Sequence, residues 1–469
     1  MIHLVDVSLT HSSAANADYE DPKGNLMRWR TCDVEGTIST GPYQRWNTAE
    51  VSRQLTDRQE ERFTWLAKVV SQLGVFIAGV DFYVMTGGSL TLFFTIAFLP
   101  VCLGGLHLYK TARLLVSAII ATLAWGILLA FYSNVDHWVN THNMQIFIGK
   151  ILTGACAFMV VIWARRHVPL SRISVLFGLG FLVKAALRGD FTWKFGLANP
   201  VTFIVLGLCS SIKNKAAQGA ITLGLGVFGM ATGARSYFAF CFVTALMYMW
   251  QNATANKGSE TGESTMHRWR PALLMAVLGL VVYFGASSLM TSGALGKSLQ
   301  QRSTKQIEAA GSLIGGGRPE WAATRELMKR QPHGFGIGVV PTWGDLRAGA
   351  SGLASINVFA GGPTKDYMFG GAFELHSGLS DFWVNGGFVG IGLTFLILFI
   401  LIRNVSALLA EREATTFVIF AVNLALWSML FGPLYTDWLP ICIALGLSML
   451  PSDAHRTEEV DTSAKALSR

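Results

Sequence analysis

Residues 112–132 read ARLLVSAIIATLAWGILLAFY, and this stretch decides the class of protein. A helix needs roughly 17 to 25 mostly apolar residues to cross the hydrocarbon core of a bilayer. The stretch therefore predicts a transmembrane helix. The rest of the chain agrees, because 51% of its 469 residues are hydrophobic, 14% are charged and its mean hydropathy is +0.42. This composition is typical of a membrane protein and excludes an ordinary soluble one.

Eleven further apolar stretches flank the first, which predicts an all-α polytopic protein of about twelve transmembrane helices. We expect helices 1–9 within residues 63–291 and helices 10–12 within residues 378–450. Residues 1–62 are expected to form a mobile cytoplasmic extension without a secretory signal, and residues 451–469 a cytoplasmic tail. The predicted spans are 64–84, 87–108, 112–132, 145–163, 171–187, 199–212, 216–232, 235–250, 271–291, 378–402, 415–432 and 436–450.

Basic residues in the short loops set the orientation, because Lys and Arg are retained on the cytoplasmic side. With the N-terminus inside, twelve lie in inner loops and three in short outer loops. This asymmetry places the segment 292–377, between helices 9 and 10, on the non-cytoplasmic face. It also explains the net charge of +8 without a nucleic-acid partner. The inner residues are Lys110, Arg113, Arg165, Arg166, Arg172, Lys213, Lys215, Lys257, Arg268, Arg270, Arg403 and Arg412, and the outer ones are Arg188, Lys194 and Arg235.

The outer segment 292–377 is too long for a simple connection and is predicted to be functional and partly helical. A polar helix is expected over 297–310. A second helix should begin at Pro319, reach Arg330 and stop before Pro332. Arg318, Trp321 and Arg325 are spaced i, i+3 and i+7, so we expect them to share one helix face with the indole between two guanidiniums.

Four residues on the outer side have the chemistry needed to handle a lipid-linked phosphate. Arg235, Arg318 and Arg325 are candidates for binding a diphosphate, because guanidiniums stay charged and bind phosphate bidentately. His376 is the candidate general base. For Arg235 the alternative is a structural pair with Asp81, Asp136 or Asp437, and for His376 it is a core or helix-capping role.

Other outer residues are candidates for sugar or acceptor contacts. The aromatic rings Trp321, Trp343 and Trp383 would stack on sugars, or would anchor helices at the membrane interface. His333 would contact sugar or phosphate, or be a solvated loop residue. Glu374 would orient the acceptor, or be a solvated charge.

No metal or cofactor is expected. The outer acidic residues contain no Asp-x-Asp pair of the kind that holds a divalent metal with a nucleotide sugar. His137 and His142 are five residues apart and so do not share a helix face. Five of the six cysteines lie in apolar segments, and no disulfide or zinc spacing follows.

Three features together resemble the O-antigen ligase and polymerase superfamily of bacterial membrane glycosyltransferases. The first is Arg235 in a Ser/Thr/Gly-rich outer turn. The second is Gly317-Arg318-Pro319-Glu320-Trp321, which is similar to a Gly-Arg-Pro-x-x-Trp element and is followed by a Pro-x-Gly-x-Gly-x-Gly stretch. The third is His376 ahead of the next span and its Gly-rich run 385–390. The likeness covers roughly spans seven to ten. Many members follow the His with Asn, whereas this chain has Ser377.

The resemblance implies a metal-independent enzyme of the type-C fold in the cytoplasmic membrane. It would transfer a glycan from undecaprenyl diphosphate to an acceptor hydroxyl on a glycan or lipid, with Arg235 and Arg318 on the diphosphate and His376 as base. Whether it polymerises or ligates stays open, and other polysaccharide assembly proteins are potential partners. The alternatives are a twelve-helix secondary transporter, for which Lys150 and Lys184 lie in or near spans, and a non-catalytic assembly factor.

Overall fold

The computed structural model describes residues 48–254, 265–293, 297–310, 318–358 and 363–452. The chain divides into two units, 1–60 and 61–469. Most of the predicted N-terminal extension, most of the predicted tail and the glycines 315–317 lie outside the described residues.

The described chain is built from helices, as the composition predicts. Its strands, β1 and β2, form one short antiparallel hairpin that packs on α5. The elements are α1 Thr48–Val80, β1 Tyr83–Met85, β2 Gly88–Ser89, α2 Leu90–Ala97, α3 Leu99–Gly105, α4 Ala112–Ser133, α5 Thr141–Ala164, α6 Leu170–Arg188, α7 Ala198–Cys209, α8 Lys215–Ala231, α9 Arg235–Ala253, α10 Thr265–Thr291, α11 Lys297–Ala310, α12 Glu320–Arg330, α13 Trp343–Ala354, α14 Pro363–Phe369, α15 Gly378–Ala410, α16 Thr416–Phe431 and α17 Leu434–Ser448.

Several of these helices are long and apolar enough to cross a membrane. Within the described residues they are Arg62–Val80 of α1 and the whole of α4, α5, α6 and α15. Shorter apolar helices include α16, α17, Trp193–Cys209 and Trp269–Val281. The prediction of an all-α membrane protein with several spans is thereby confirmed. Because lipid offers backbone groups no hydrogen bonds, helices are the structure that such apolar segments must adopt.

The second predicted span differs from the expectation of one straight helix over 87–108. It is a pair of helices, α2 and α3, bent by 86° at Phe98. Pro100 follows the bend and has no N–H to donate to the carbonyl four residues earlier. The missing hydrogen bond explains why the helix breaks there.

The Gly-rich stretch 332–338, part of the segment between α10 and α15, is inserted between α4 and α15 and forms the glycine loop. Backbone amides of the loop donate hydrogen bonds to the helices on both sides of it. The amides of Phe335 and Gly336 donate to the carbonyl of Val384 in α15, at 2.8 and 3.0 Å, and the amide of Ile337 donates to that of Gly126 in α4, at 3.1 Å.

Two glycines make the insertion geometrically feasible. Gly387 interrupts α15 with φ of +56° and ψ of −141°, so that helix is broken where the loop meets it. Gly336 has φ of +108°, and a Cβ at this position would lie 2.3 Å from the backbone nitrogen of Ala130 in α4. A side chain at Gly336 would therefore meet both a disfavoured backbone conformation and a helix backbone.

We predict that Gly336→Ala lowers the free energy of unfolding by more than about 2 kcal/mol, because the loop must withdraw from α4 to make room for the methyl group. Gly392→Ala is the matched control, since a Cβ there meets no atom within 4 Å. Unfolding is measured by thiol labelling during heating, because the five described cysteines are all buried. Equal unfolding temperatures for the two variants would show that the loop is not inserted.

Candidate active site

The C-terminal end of α16, at Phe431, is contacted by the start of α12. The guanidinium of Arg318 lies over the ring of Trp427, 5.7 Å from its centroid. The indole N–H of Trp321 donates to the carbonyl of Leu430 at 3.1 Å, and its ring packs against Phe431. Cation–π contact and a hydrogen bond to a helix-end carbonyl thus join α12 to this end of α16.

Arg235 is the first residue of α9, which runs antiparallel to α16. The antiparallel order follows from two contacts: the ring of Phe240 lies 5.7 Å from that of Trp427, and the amide of Asn423 donates to the hydroxyl of Thr244. The first residue of α9 therefore lies toward the Phe431 end of α16, the end that Arg318 also contacts.

His376 precedes α15 at the same end. The backbone at Gly378 lies so close to α16 that a Cβ there would be 3.0 Å from the Cα of Met429. His376 itself has φ of +50°, which is rare for a residue with a side chain. Its Nδ1 lies 3.1 Å from the carbonyl oxygen of Glu374. Because a carbonyl can only accept, Nδ1 carries a proton and Nε2 of the neutral ring keeps its lone pair.

Asp381 holds the backbone on which His376 sits. One of its carboxylate oxygens accepts from the amide of Leu375 at 2.8 Å, and the other accepts from the amide of Leu434, the first residue of α17, at 3.0 Å. The side chain is buried. Sequence reasoning saw Asp381 only as one acid among several, because nothing in its neighbours along the chain signals that it is buried.

Tyr367 connects the His376 and Arg318 sides of the site. Its ring meets the imidazole of His376 edge to face at 4.7 Å between centroids, and its hydroxyl donates to Glu320 at 3.0 Å. Burial and the charge of Glu320 raise the pKa of Tyr367, while the charge of Arg318 opposes the rise. Burial likewise raises the pKa of Glu374, against the opposing charge of His376. The tyrosine therefore stays protonated and can donate.

Arg325 contacts other neighbours. Its side chain is 62% exposed and lies 3.2 Å from Glu326 and 3.5 Å from the hydroxyl of Ser355. Arg318 precedes α12, which begins at Glu320, so the three residues do not all belong to one helix. The prediction of a shared helix face does not apply to Arg318, because this residue lies outside the helix.

The remaining sequence candidates lie around the glycine loop. His333 is half-buried, its Nε2 is shielded from solvent and its ring packs against Tyr132. Trp383 is fully buried and donates to the carbonyl of Pro332, so it is not available to stack on a sugar. Trp343 is exposed.

Asp345 is a hydrogen-bond centre that the sequence did not reveal. Its buried carboxylate accepts from Arg330 at 2.9 Å and from both the amide and the hydroxyl of Thr342, and it lies 3.0 Å from Nε2 of His137. It thus joins α12 and α13 to the turn after α4. His137 contributes its ring to this contact with Asp345. Among the described residues, no group of three His, Cys, Asp or Glu side chains is arranged to hold a metal.

A second cluster of charges lies inside the helix bundle. Asp81, after α1, is 2.7 Å from the ammonium of Lys184 and 3.9 Å from that of Lys150. One carboxylate therefore forms ion pairs with both lysines. A small cavity adjoins Asp81 and Lys150, lined also by Tyr83, Thr153, Tyr435 and Trp438 among others.

Comparisons with protein-family models, with curated proteins and with solved structures found no match to this chain. Its function is therefore argued from the residues and their geometry.

We predict that Asp345→Asn lowers the free energy of unfolding by about 2 kcal/mol at neutral pH, because the amide cannot accept from Arg330, Thr342 and His137 at once. Burial raises the pKa of Asp345, but the bonds from Thr342 and the charge of His137 lower it further, to a net value below the ordinary one. Its stabilising effect is therefore complete above the ordinary pKa, near 4, and is lost as pH falls through the lower folded-state value.

Thermal unfolding measured between about pH 3 and 7 tests this, with the exposed Asp366→Asn as control. The wild type and the control should lose stability at the acid end, and the Asp345 variant should lose less there. Parallel curves for all three proteins would show that Asp345 carries no such coupling.

Proposed function

We propose that this chain is a glycan transferase of the cytoplasmic membrane. It moves a glycan from an undecaprenyl diphosphate carrier to an acceptor hydroxyl on the non-cytoplasmic face. The observation that carries the proposal is that Arg318 and His376 are both held against the Phe431 end of α16, with Tyr367 between them. The family resemblance of the motifs around these residues supports the same reaction.

The proposed topology has twelve crossings. Each predicted span coincides with a helix or, for the second, with the bent pair α2–α3. Helices too short to cross alone are covered by neighbours: α6 packs on α7, α8 on α9, and α16 on α17. With basic loops inside, the Phe431 end of α16 faces outward, where a lipid-linked glycan would arrive.

The arginines supply the charge that the diphosphate requires. Arg318 and Arg235 bind the diphosphate and stabilise the negative charge that grows on it as the glycosidic C–O bond breaks. Arg325 joins them by exchanging Glu326, an exposed ion pair that costs little to break, for the ligand.

His376 acts as the general base. Its Nδ1–H is held by the Glu374 carbonyl, so Nε2 takes the proton of the acceptor hydroxyl as that oxygen attacks the anomeric carbon. The electron pair of the broken C–O bond leaves with undecaprenyl diphosphate.

A secondary transporter is the second candidate, and the charged cluster inside the bundle favours it. Ionisable residues within membrane helices commonly line a transport path, and here Asp81 and Lys150 both face a cavity. Replacing Lys150 would then abolish solute uptake and leave surface glycans unchanged.

We predict that a strain lacking the gene accumulates undecaprenyl-linked glycan and loses long-chain surface polysaccharide. Complementation with His376→Ala should leave transfer reduced by about 10²- to 10⁴-fold, the usual contribution of a general base. Arg318→Lys should restore transfer only in part, because an ammonium keeps the charge without the bidentate geometry. Lipid-linked glycan is quantified by mass spectrometry of envelope extracts.

The matched controls are His142→Ala and Arg347→Ala, both exposed residues outside the site. They should complement fully at equal expression. Normal surface glycan in the His376→Ala and Arg318→Ala strains would contradict the proposed mechanism.

A further inference from the structure

Glu320 is a buried acid with an unusual shortage of hydrogen bonds. The residue is 7% exposed, and one carboxylate oxygen accepts from the hydroxyl of Tyr367. The other oxygen, Oε2, is shielded from solvent and has no donor among the described residues. Burying a carboxylate oxygen without a donor is costly, so such an atom points to a bound donor group.

The local structure explains the charge of Glu320 but not its burial. Glu320 is the first residue of α12, where the partial positive charge of a helix N-terminus favours an acid. An exposed glutamate would gain the same benefit at lower cost. The residue is nevertheless buried, on the face of α12 where the hydroxyl of Thr324, one turn later, lies 3.2 Å from that of Ser380 in α15.

The buried acid is one side chain away from the proposed base. Tyr367 donates to Glu320 and meets the His376 ring at 4.7 Å. A carboxylate repels a diphosphate but accepts readily from neutral hydroxyls, and the tyrosine oxygen can accept one more hydrogen bond. These are the groups that recognise a sugar hydroxyl.

We propose that Glu320 and Tyr367 form a subsite for the acceptor sugar, binding a hydroxyl beside the one that His376 deprotonates. The inference rests on the proposed function and adds to it the residues that select the acceptor. The carrier diphosphate lies on the Arg318 side, over Trp427, and the acceptor sugar lies on the Tyr367 side.

The test uses the full-length protein in lipid nanodiscs, with lipid-linked glycan extracted from the deletion strain as donor and envelope lipid from that strain as acceptor. Glu320→Gln and Tyr367→Phe should each raise the half-saturating concentration of acceptor about tenfold, the effect of losing one hydrogen bond to a charged group. Binding of undecaprenyl diphosphate, measured separately, should change by less than about twofold. Glu308→Gln, the same change at an exposed residue of α11, is the matched control.

Each outcome is decisive when thermal unfolding shows that the variants are folded. An unchanged half-saturating concentration in both variants overturns the subsite, whatever happens to the maximal rate. An equal loss of undecaprenyl diphosphate binding also overturns it, because the pair then serves the carrier. Failure of the proposed function is distinct, since the wild-type protein would then transfer no glycan in this assay.

Discussion

The packing of the segment between α10 and α15 depends on one constraint, which is the insertion of the glycine loop into the break of α15. Hydrogen bonds from Phe335, Gly336 and Ile337 attach the loop to backbone carbonyls of two helices, and these bonds lie in a region with little competing water. The loop begins just after α12 and leads to α13, so its anchoring places both helices. Gly387 has non-helical geometry, and a Cβ there would lie 2.2 Å from the carbonyl oxygen of His333 in the loop.

A few buried acids hold the other segments of the site in place through hydrogen bonds. Asp345 ties α12 and α13 to the turn after α4. Asp381 ties the backbone before His376 to the start of α17, and so fixes a histidine whose own backbone conformation is unfavourable. Preorganisation of this kind stabilises a reactive geometry before substrate arrives. The arginine and histidine sides of the site then meet at one helix end, although they are far apart along the chain.

The sequence predicted the helices well and the tertiary contacts poorly, for physical reasons. Apolar length identifies α4 and α15 without further knowledge, because a bilayer demands it. The bend at Phe98 had a visible cause in Pro100, yet the span was predicted as one straight helix. Glycines 334–338 indicated turns, but a turn signal does not say which helix the turn approaches. Asp345, Asp381 and Glu320 resemble solvated acids in sequence, since their burial exists only in the folded chain. Arg318 and His376 were singled out by residue chemistry, and their catalytic roles stay predictions.

The proposed function requires that a polyprenyl diphosphate bind at the Phe431 end of α16, between the guanidinium of Arg318 and the imidazole of His376. Photo-crosslinking with a benzophenone-bearing polyprenyl diphosphate, followed by peptide mapping of the full-length protein, tests it most directly. Labels should fall on peptides that contain Arg318, His376 and Trp427, and inorganic diphosphate should compete with them. Labelling confined to the peptides around Asp81 and Lys150 would contradict the claim and place the ligand inside the bundle.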